Sequence, residues 1–214
     1  MEYPKIQSLF MRDMKSPKKN FMPEYAREEF AQFNTWRVEE KIDGTNIRVS
    51  FFNDIKPHLS RFAWDIKGKR NDSLIPKHLY EVLEKLFNPE KLALVFSKQG
   101  TDVQLFGEGY GNNIQAGHYY RQDPSFILFD VKLDGRWLPR GYVKSIADEL
   151  GVPMPADLGT MTTQEVIEFV KSKPLSRTAQ VPHIMEGVIA RTDPLMLFCH
   201  GTPLMWKLKV KDLE

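Results

Sequence analysis

A lysine lies among acidic and turn-forming residues in the stretch Glu-Lys-Ile-Asp-Gly-Thr-Asn, residues 40–46. A neutral lysine amine is a nucleophile, but an ordinary lysine, with a pKa of about 10.4, is neutral in roughly one molecule in 2,500 at pH 7. Cationic neighbours and burial disfavour the ammonium form and make the amine available. Lys207 and Lys209 are candidates for such neighbours of Lys41, and also for holding phosphates. The stretch alone fits a hairpin turn at Asp43-Gly44 equally well.

Two common phosphate-binding patterns do not occur in the sequence. There is no Gly-x-x-x-x-Gly-Lys-Ser/Thr loop, and Gly-Glu-Gly-Tyr-Gly at 107–111 lacks the final spacing of a dinucleotide fingerprint. Any ATP chemistry must therefore proceed in another way, and covalent capture of the nucleotide by a lysine is one.

Composition narrows the class of protein without giving its function. The 214 residues are 42% hydrophobic, which is enough for one substantial core or two small ones. Lys and Arg number 30 against 28 Asp and Glu, so the net charge of +2 is not the strongly basic footprint of many nucleic-acid-binding proteins. No window reaches the roughly 18 apolar residues of a membrane span, and we expect a cytoplasmic location. The single cysteine, Cys199, excludes an internal disulfide.

Four further motifs follow the lysine stretch along the chain. They are Phe-Gly-Glu-Gly at 106–109, Phe-Ile-Leu-Phe-Asp-Val at 126–131, Glu-Gly-Val-Ile at 186–189 and Lys-Leu-Lys at 207–209. In this order they resemble the motifs of the covalent nucleotidyltransferase superfamily, which contains DNA ligases, RNA ligases and messenger-RNA capping guanylyltransferases. Thr45-Asn46, in place of the arginine usual in DNA ligases and capping enzymes, is similar to the RNA ligase 2-like family of nick-sealing, ATP-dependent RNA ligases. The resemblance spans nearly the whole chain. The chain therefore resembles the catalytic core of such a ligase.

The resemblance implies a role for each matching residue. Lys41 would attack the α-phosphate of ATP and form a lysyl-AMP intermediate. The residues that would bind ATP or AMP are Glu40 at the adenine, Asn46 near the α-phosphate, Glu108 at the ribose, Phe129 stacked on the adenine ring, and Lys207 and Lys209 at the α-phosphate. Glu186 would hold a divalent cation, Mg²⁺ or Mn²⁺, beside the nucleotide.

Three positions leave alternatives open. The family's phosphate- and ribose-contacting arginine is assigned to Arg70, with Arg48 and Arg61 as rivals. Phe129 also fits a strand residue in the hydrophobic core. Asp43 stands where nick-sealing relatives can carry histidine, which leaves the type of ligase open.

Magnesium also fits the residue types of the chain. Carboxylates and nucleotide phosphates form its usual site, and the sequence offers no nitrogen or sulfur cage for a softer metal. The histidines are scattered without metal-ligand spacing: His58, His78, His118, His183 and His200.

Hydrophobic periodicity predicts an α+β fold of antiparallel sheets flanked by helices, and the resemblance implies the nucleotidyltransferase (ATP-grasp-like ligase) core. We predict helices over 23–33, 76–87, 141–150 and, from a capping box at Thr162 and Glu165, to about 172. We predict strands over 35–41, 46–52, 92–96, 103–107, 125–131, 186–191 and 204–211. In the last strand, alternation places Lys207, Lys209 and Lys211 on one face.

We expect residues 1–214 to form a single adenylyltransferase domain with no C-terminal oligonucleotide-binding barrel or accessory domain, since five residues follow Lys209. The resemblance implies that AMP passes from Lys41 to a 5′-phosphate end of nucleic acid, most simply RNA, and that a 3′-OH end is then joined to it, as in RNA repair. We expect sealing to be weak or to need an accessory protein that binds the ends. A minimal DNA ligase, a capping-type guanylyltransferase and a non-catalytic nucleic-acid-binding module remain alternatives.

Overall fold

The computed structural model describes residues 2–13, 21–56, 59–98 and 101–213, without the side chains of residues 21, 54–56 and 59–62. The chain divides into two compact units. The Asn46 unit comprises Asp43–Met154 and the chain start through Tyr3, and the Lys41 unit comprises Pro4–Ile42 and Pro155–Glu214. The chain thus passes between units directly after Lys41-Ile42. A single functional domain stays a prediction.

The described residues form mostly antiparallel sheets, and helices lie between some of the strands in sequence. The strands are β1 (Gln7–Ser8), β2 (Phe10–Arg12), β3 (Phe21–Tyr25), β4 (Thr35–Lys41), β5 (Thr45–Lys56), β6 (Leu59–Gly68), β7 (Asp102–Tyr110), β8 (Ser125–Leu133), β9 (Arg136–Trp137), β10 (Asp157–Thr162), β11 (Gly187–Arg191) and β12 (Met205–Lys209). The α-helices are α1 (Lys77–Leu86), α2 (Pro89–Val95), α3 (Arg140–Leu150) and α4 (Thr163–Lys171), and short 3-10 helices cover Glu28–Gln32, Gly117–Tyr119 and Val210–Asp212. The α+β prediction is confirmed.

In the Asn46 unit, one antiparallel sheet has the strand order β6-β5-β7-β8-β9. Its buried face carries Ile47, Val49 and Phe126, which pack in one core with Leu79 of α1 and Val143 of α3. Because side chains alternate along a strand, the residues between Ile47 and Val49 point to the other face. The candidate residues Asn46 and Arg48 therefore lie next to the fully buried Ile47 and Val49, which fix this part of β5.

In the Lys41 unit, the sheet has the order β1-β12-β11-β4-β10, and only the short β1 runs parallel to its neighbour β12. Val38, Val188 and Trp206 lie on its buried face and pack against Val166 and other residues of α4. Helix α4 begins with the predicted capping box, in which Thr162 and Glu165 bond reciprocally. Alternation then directs Lys41 and Lys209 to the opposite face.

Three local predictions are wrong. The hairpin expected at Asp43-Gly44 does not form, because β4 pairs with β10 and β11 whereas β5 pairs with β6 and β7. Residues 92–95 belong to helix α2, with Phe96 at its C-cap, and not to a strand, since the Asn88 side chain caps that helix and Pro89 opens it. Residues 23–33 hold part of β3 and a 3-10 helix instead of an α-helix.

The other predicted elements are confirmed with shifted ends. Strands β1, β2, β3, β6, β9 and β10 were not predicted. Lys211 lies in the 3-10 helix after β12 and does not continue the strand. Among the described helices, none has the length and apolar character needed to cross a bilayer.

Candidate active site

Three adjacent strands of the Lys41 unit bring the candidate nucleophile beside a second lysine. Gly187 of β11 lies directly opposite Lys41 of β4 on one side and Lys209 of β12 on the other. Gly187 has a φ of +155°, and a Cβ there would lie 2.2 Å from the carbonyl oxygen of Leu208. A glycine is therefore required between the two lysines, because the backbone of β12 occupies the position that a side chain would take.

Glu186 precedes this glycine and bridges both lysines. Lys41 Nζ donates to Glu186 Oε2 at 2.6 Å, and Lys209 Nζ forms an ion pair with Glu186 Oε1. The side chains of Lys41, Glu186 and Lys209 are 20%, 14% and 19% exposed. The cluster is thus shielded enough for strong electrostatic coupling but still open to a ligand.

The ion pair has a chemical consequence for Lys41. A carboxylate stabilises a charged ammonium, whereas attack on phosphorus requires the neutral amine. Lys41 Nζ also donates to the carbonyl oxygen of Ile42 at 3.2 Å. A ligand that engages Glu186 would compete with Lys41 for the carboxylate oxygens.

Lys207 occupies the same face of the sheet, two residues before Lys209. It lies opposite Ile189 of β11 and Ser8 of β1. The predicted common face of Lys207 and Lys209 is confirmed, and it is the face that carries Lys41. This face also carries a buried ion pair between Arg191 and Glu39, 3.2 Å apart, whose charges offset each other. The three lysines and the Glu186 carboxylate remain as a charge pattern suited to phosphate groups.

Glu40 is directed away from this face. Its side chain is 1% exposed and accepts hydrogen bonds from the Ser176 and Thr178 hydroxyls and from the backbone N–H groups of Arg177 and Thr178. Alternation along β4 explains why neighbouring Glu40 and Lys41 point in opposite directions. The Glu40 carboxylate anchors the 176–178 loop. Adenine reading by this side chain stays a prediction. Nothing in the local sequence indicates this loop partner, which is more than 130 residues away.

In the Asn46 unit, Asn46 of β5 lies directly opposite Glu108 of β7. Opposed residues on neighbouring strands share a face, so the two predicted nucleotide-binding side chains are brought together. Asn46 Oδ1 is buried and has no hydrogen-bond partner among the described residues. Buried polar atoms normally have a partner, so this atom fits a site completed by a polar ligand.

The glycine of the lysine stretch supports the same corner of the sheet. A Cβ on Gly44 would lie 2.3 Å from the carbonyl oxygen of Gly109 and 2.9 Å from Glu108 Cγ. The backbone N–H of Asp43 donates to the hydroxyl of buried Tyr120 at 3.3 Å. Gly44 is therefore required by close packing on the Gly-Glu-Gly motif, not by a hairpin turn.

Phe129 sits where β7 and β8 change register, between the pairs Gly107–Leu128 and Phe106–Asp130. Its ring packs against that of Tyr3, with centroids 4.9 Å apart, and remains partly exposed. Tyr3 is fixed in turn, since its hydroxyl donates to buried Asp130 Oδ2 at 2.5 Å. Phe129 is thus a half-buried residue whose ring is supported on one side by Tyr3. The sequence did not indicate this supporting role of Tyr3.

The arginine candidates differ in position. Arg48 is 4% exposed, shares the face of Asn46 on β5 and donates to Asn71 Oδ1 at 2.7 Å. Arg70 is exposed in the turn after β6, where its backbone N–H donates to Ser73 Oγ at 3.0 Å. The side chain of Arg61 lies outside the described residues. Arg48 is therefore the one of the described pair that accompanies Asn46 and Glu108.

The described residues hold no cluster of three His, Cys, Asp or Glu side chains that could bind a metal alone. Glu186 supplies one carboxylate. This donor set fits a hard cation such as Mg²⁺, which keeps several waters and is usually shared between one or two carboxylates and substrate phosphates.

Comparison with known proteins identifies the family. The profile described as RNA ligase matches residues 34–209, and the chain belongs to the RNA ligase family. No curated protein gives a significant match to the chain.

Solved structures of Naegleria gruberi RNA ligase are similar in fold. A mutant with ATP and Mn has a TM-score of 0.57 and 16% identity, over 97% of this chain and 57% of that one. A mutant with AMP and Mn has a TM-score of 0.56 and 16% identity over the same shares, 97% and 57%. A structure with PPi has a TM-score of 0.54 and 17% identity, over 82% of this chain and 49% of that one. The chain thus spans about half to three-fifths of the length of these ligases.

Proposed function

We propose that this protein is an ATP-dependent RNA ligase in which Lys41 is the nucleophile. The observation that carries the proposal is the bridge of Lys41 and Lys209 by Glu186 on one sheet face. It places an amine, a carboxylate able to take a cation and a second cation within one cluster. The ATP, AMP and PPi in the similar Naegleria ligase structures are a substrate and products of such chemistry.

In the first step, the neutral Nζ of Lys41 attacks the α-phosphorus of ATP. The N–P bond forms as the bond from phosphorus to the bridging oxygen breaks, and pyrophosphate leaves. Lys207 and Lys209 stabilise the negative charge that accumulates on the phosphates and the leaving group. The proton lost from the Lys41 ammonium goes to solvent before attack.

In the second and third steps, the intermediate is used on nucleic acid. A 5′-phosphate oxygen attacks the phosphorus of lysyl-AMP, the N–P bond breaks, and the Lys41 amine is regenerated. A 3′-hydroxyl then attacks the activated 5′-phosphate, and AMP leaves as the phosphodiester bond forms. The RNA specificity of these steps rests on family membership.

The Asn46 unit supplies the proposed contacts to the sugar and the base. Asn46 and Glu108, opposed across β5 and β7, bind polar atoms of the nucleotide, and Phe129 stacks on the adenine ring. Arg48 takes the phosphate or ribose contact in preference to exposed Arg70, which remains the alternative to test.

Glu186 would hold Mg²⁺ or Mn²⁺. When bound, the cation neutralises charge on the phosphates during in-line displacement. We also propose that the protein is cytoplasmic and acts in RNA repair. Imaging of the tagged protein in cells tests the cytoplasmic location.

Mass measurement after incubation with ATP and Mg²⁺ tests the first step. We expect a shift matching one AMP in the wild-type protein and no shift in Lys41→Ala or Lys41→Arg. Lys144→Ala is the matched control, because Lys144 is an exposed lysine on α3 paired with Asp148. Absence of the adduct from the wild-type protein over a range of metals would remove the proposal.

Nucleotide and end specificity separate the related activities. Transfer from GTP labelled at the α-phosphate, without transfer from ATP, would identify a guanylyltransferase. Sealing of nicked DNA in preference to nicked RNA would identify a DNA ligase. RNA binding by a wild-type protein that forms no adduct would identify a non-catalytic binding module.

A further inference from the structure

A cavity in the Lys41 unit is lined by residues other than Lys41, Glu186 and Lys209. Its volume is about 280 Å³, and its walls include Lys5, Arg27, Phe198 and His200. This volume is close to the lower end of small-molecule sites, about 300 Å³, so the cavity suits one planar ring system with its immediate substituents and not a larger ligand. None of its wall residues has a role in the proposed adenylylation.

The cavity contains a stack of flat groups. The rings of Phe198 and His200 are stacked, with centroids 5.3 Å apart and planes inclined by 9°. The Arg27 guanidinium carbon lies 5.1 Å from the centre of the Phe198 ring. Buried Phe30 contacts the edge of Phe198, with centroids 6.1 Å apart. His200 is exposed, so it is the accessible end of a supported aromatic platform.

A tight turn fixes this platform in place. The backbone N–H of Phe198 donates to the carbonyl oxygen of Thr202, and that of Gly201 donates to the carbonyl oxygen of Phe198, both at 2.8 Å. Gly201 has a φ of +80°, which favours glycine. The Thr202 hydroxyl and His200 Nε2 are 2.7 Å apart and hydrogen-bonded. A pre-arranged ring surface loses little conformational entropy when a ligand stacks on it.

Charge at the cavity favours an anionic ligand. Glu29 forms an ion pair with Arg27 at 3.0 Å and offsets its charge. Among the described residues, none forms an ion pair with exposed Lys5. Lys5 therefore contributes an uncompensated positive charge next to the stacked rings.

A ring platform with an adjacent cation is the arrangement by which proteins bind unpaired nucleotides: the base stacks on an aromatic side chain and a cation holds the phosphate. We propose that this cavity binds one unpaired nucleotide of the RNA substrate, with the base on His200 and the phosphate at Lys5. This inference rests on the proposed RNA ligase function and adds a contact to the RNA outside the adenylylation site.

The test is binding of a fluorescent single-stranded RNA with a 5′-hydroxyl, which cannot be joined, to the full chain. Loss of one base stack lowers affinity by about 5-fold to 100-fold, which we expect for His200→Ala. His200→Tyr keeps a flat ring and should bind within about 2-fold of the wild-type protein. Lys5→Ala should weaken binding. It should also make the slope of log K against log salt concentration less negative by roughly 0.7, the contribution of one single-strand phosphate contact.

Two matched variants control for general effects. His118→Ala removes another exposed histidine that contacts an aromatic ring, that of Tyr119 with centroids 3.9 Å apart. Lys144→Ala removes another exposed lysine. Both should bind RNA like the wild-type protein. Equal loss in the controls, unchanged binding by both His200→Ala and Lys5→Ala, or no RNA binding by the wild-type protein would overturn the inference.

Competition with AMP distinguishes an RNA site from a free-nucleotide site. Displacement of the RNA by AMP at equal concentration would overturn the RNA assignment. The AMP adduct on wild-type Lys41, measured in the same preparation, separates the two proposals. If the adduct forms but RNA affinity is the same in His200→Ala and Lys5→Ala as in the wild-type protein, this inference alone is rejected. If no adduct forms, the proposed function itself is rejected.

Discussion

At the scale of single residues, the Glu186 carboxylate is shared between two lysines and a proposed ligand. It forms ion pairs with Lys41 and Lys209. The same carboxylate is the proposed cation ligand. A cation bound to Glu186 would therefore compete with both lysines for its oxygens.

Glu186→Gln separates charge from shape. Gln keeps the size and one acceptor oxygen but loses the charge, so we expect the rate of AMP-adduct formation to fall by about 100-fold or more. The rate is measured at saturating ATP over a range of Mg²⁺ and Mn²⁺ concentrations. Glu168→Gln, which removes an exposed carboxylate paired with Lys171, is the control. A rate close to that of the control would mean that Glu186 only positions the lysines.

Glu40→Gln tests whether the residue before the nucleophile anchors a loop or reads the base. The Gln amide would face hydrogen-bond donors of the 176–178 loop, and bonds to charged acceptors contribute about 1.5–3 kcal/mol. We expect unfolding free energy, measured with urea, to fall by about 2 kcal/mol, while Glu28→Gln at an exposed position leaves it unchanged. A raised KM for ATP with unchanged stability would instead assign Glu40 to adenine.

At the scale of elements, the lysine stretch joins strands of different sheets. Lys41 ends β4 in one unit, and Asp43-Gly44 leads into β5 of the other. Local sequence predicted both strands but paired them with each other, because the choice of partner depends on residues far along the chain. The partners of β5 are β6 and β7, and the partners of β4 are β10 and β11. Helix α2 was missed although Asn88-Pro89 carries a start signal, because its apolar run resembled a short strand.

Gly44→Ala tests the close packing that replaces the expected hairpin. The new Cβ would meet the carbonyl oxygen of Gly109, and overpacking of this kind costs about 1–3 kcal/mol of unfolding free energy. Gly141→Ala is the matched control, since a Cβ there meets nothing within 4 Å and the site is in helix α3. Ala in a helix should stabilise the control by up to about 1 kcal/mol. A Gly44→Ala protein as stable as the wild type would refute the packing argument.

The capping box of α4 predicts a pH dependence. Hydrogen bonds from the backbone and side chain of Thr162 lower the pKa of Glu165 below its ordinary value of 4.5. A lowered folded-state pKa means that this stabilisation is present above the unfolded-state pKa and is lost as the pH falls through the folded-state pKa. Urea midpoints of wild-type and Glu165→Gln proteins should therefore differ at neutral pH and converge in acid. A difference that persists in acid would attribute the effect to packing.

At the scale of the whole molecule, what could be predicted depended on how local each feature is. Glu108 and Lys209 could be predicted as candidates because each lies in a short motif on its own strand, and Glu186 because its motif leads directly into β11. The shared face of Lys207 and Lys209 followed from strand alternation. The Glu40 loop, the support of Phe129 by Tyr3 and the contact of Arg48 with Asn71 could not be predicted, because each depends on residues distant in sequence.

The need to hold two RNA ends leads to the last prediction. The residues proposed for adenylylation fall within the region that matches the RNA ligase profile. Sealing needs two RNA ends held in register as well as lysyl-AMP, and orientation of two reactants is a large part of such a barrier. We expect rapid adduct formation and slow sealing.

Single-turnover measurement separates these steps. Protein carrying AMP is mixed with a nicked RNA duplex labelled at the 5′-phosphate, and adenylylated and sealed strands are followed with time. Sealed product should appear more slowly than the AMP adduct forms, and a higher protein concentration should not abolish the lag. Isolated Lys41→Ala supplied with pre-adenylylated RNA tests the final step alone, because that step no longer needs the lysine nucleophile. Sealing as fast as adduct formation would mean that the residues of this chain suffice to hold both ends.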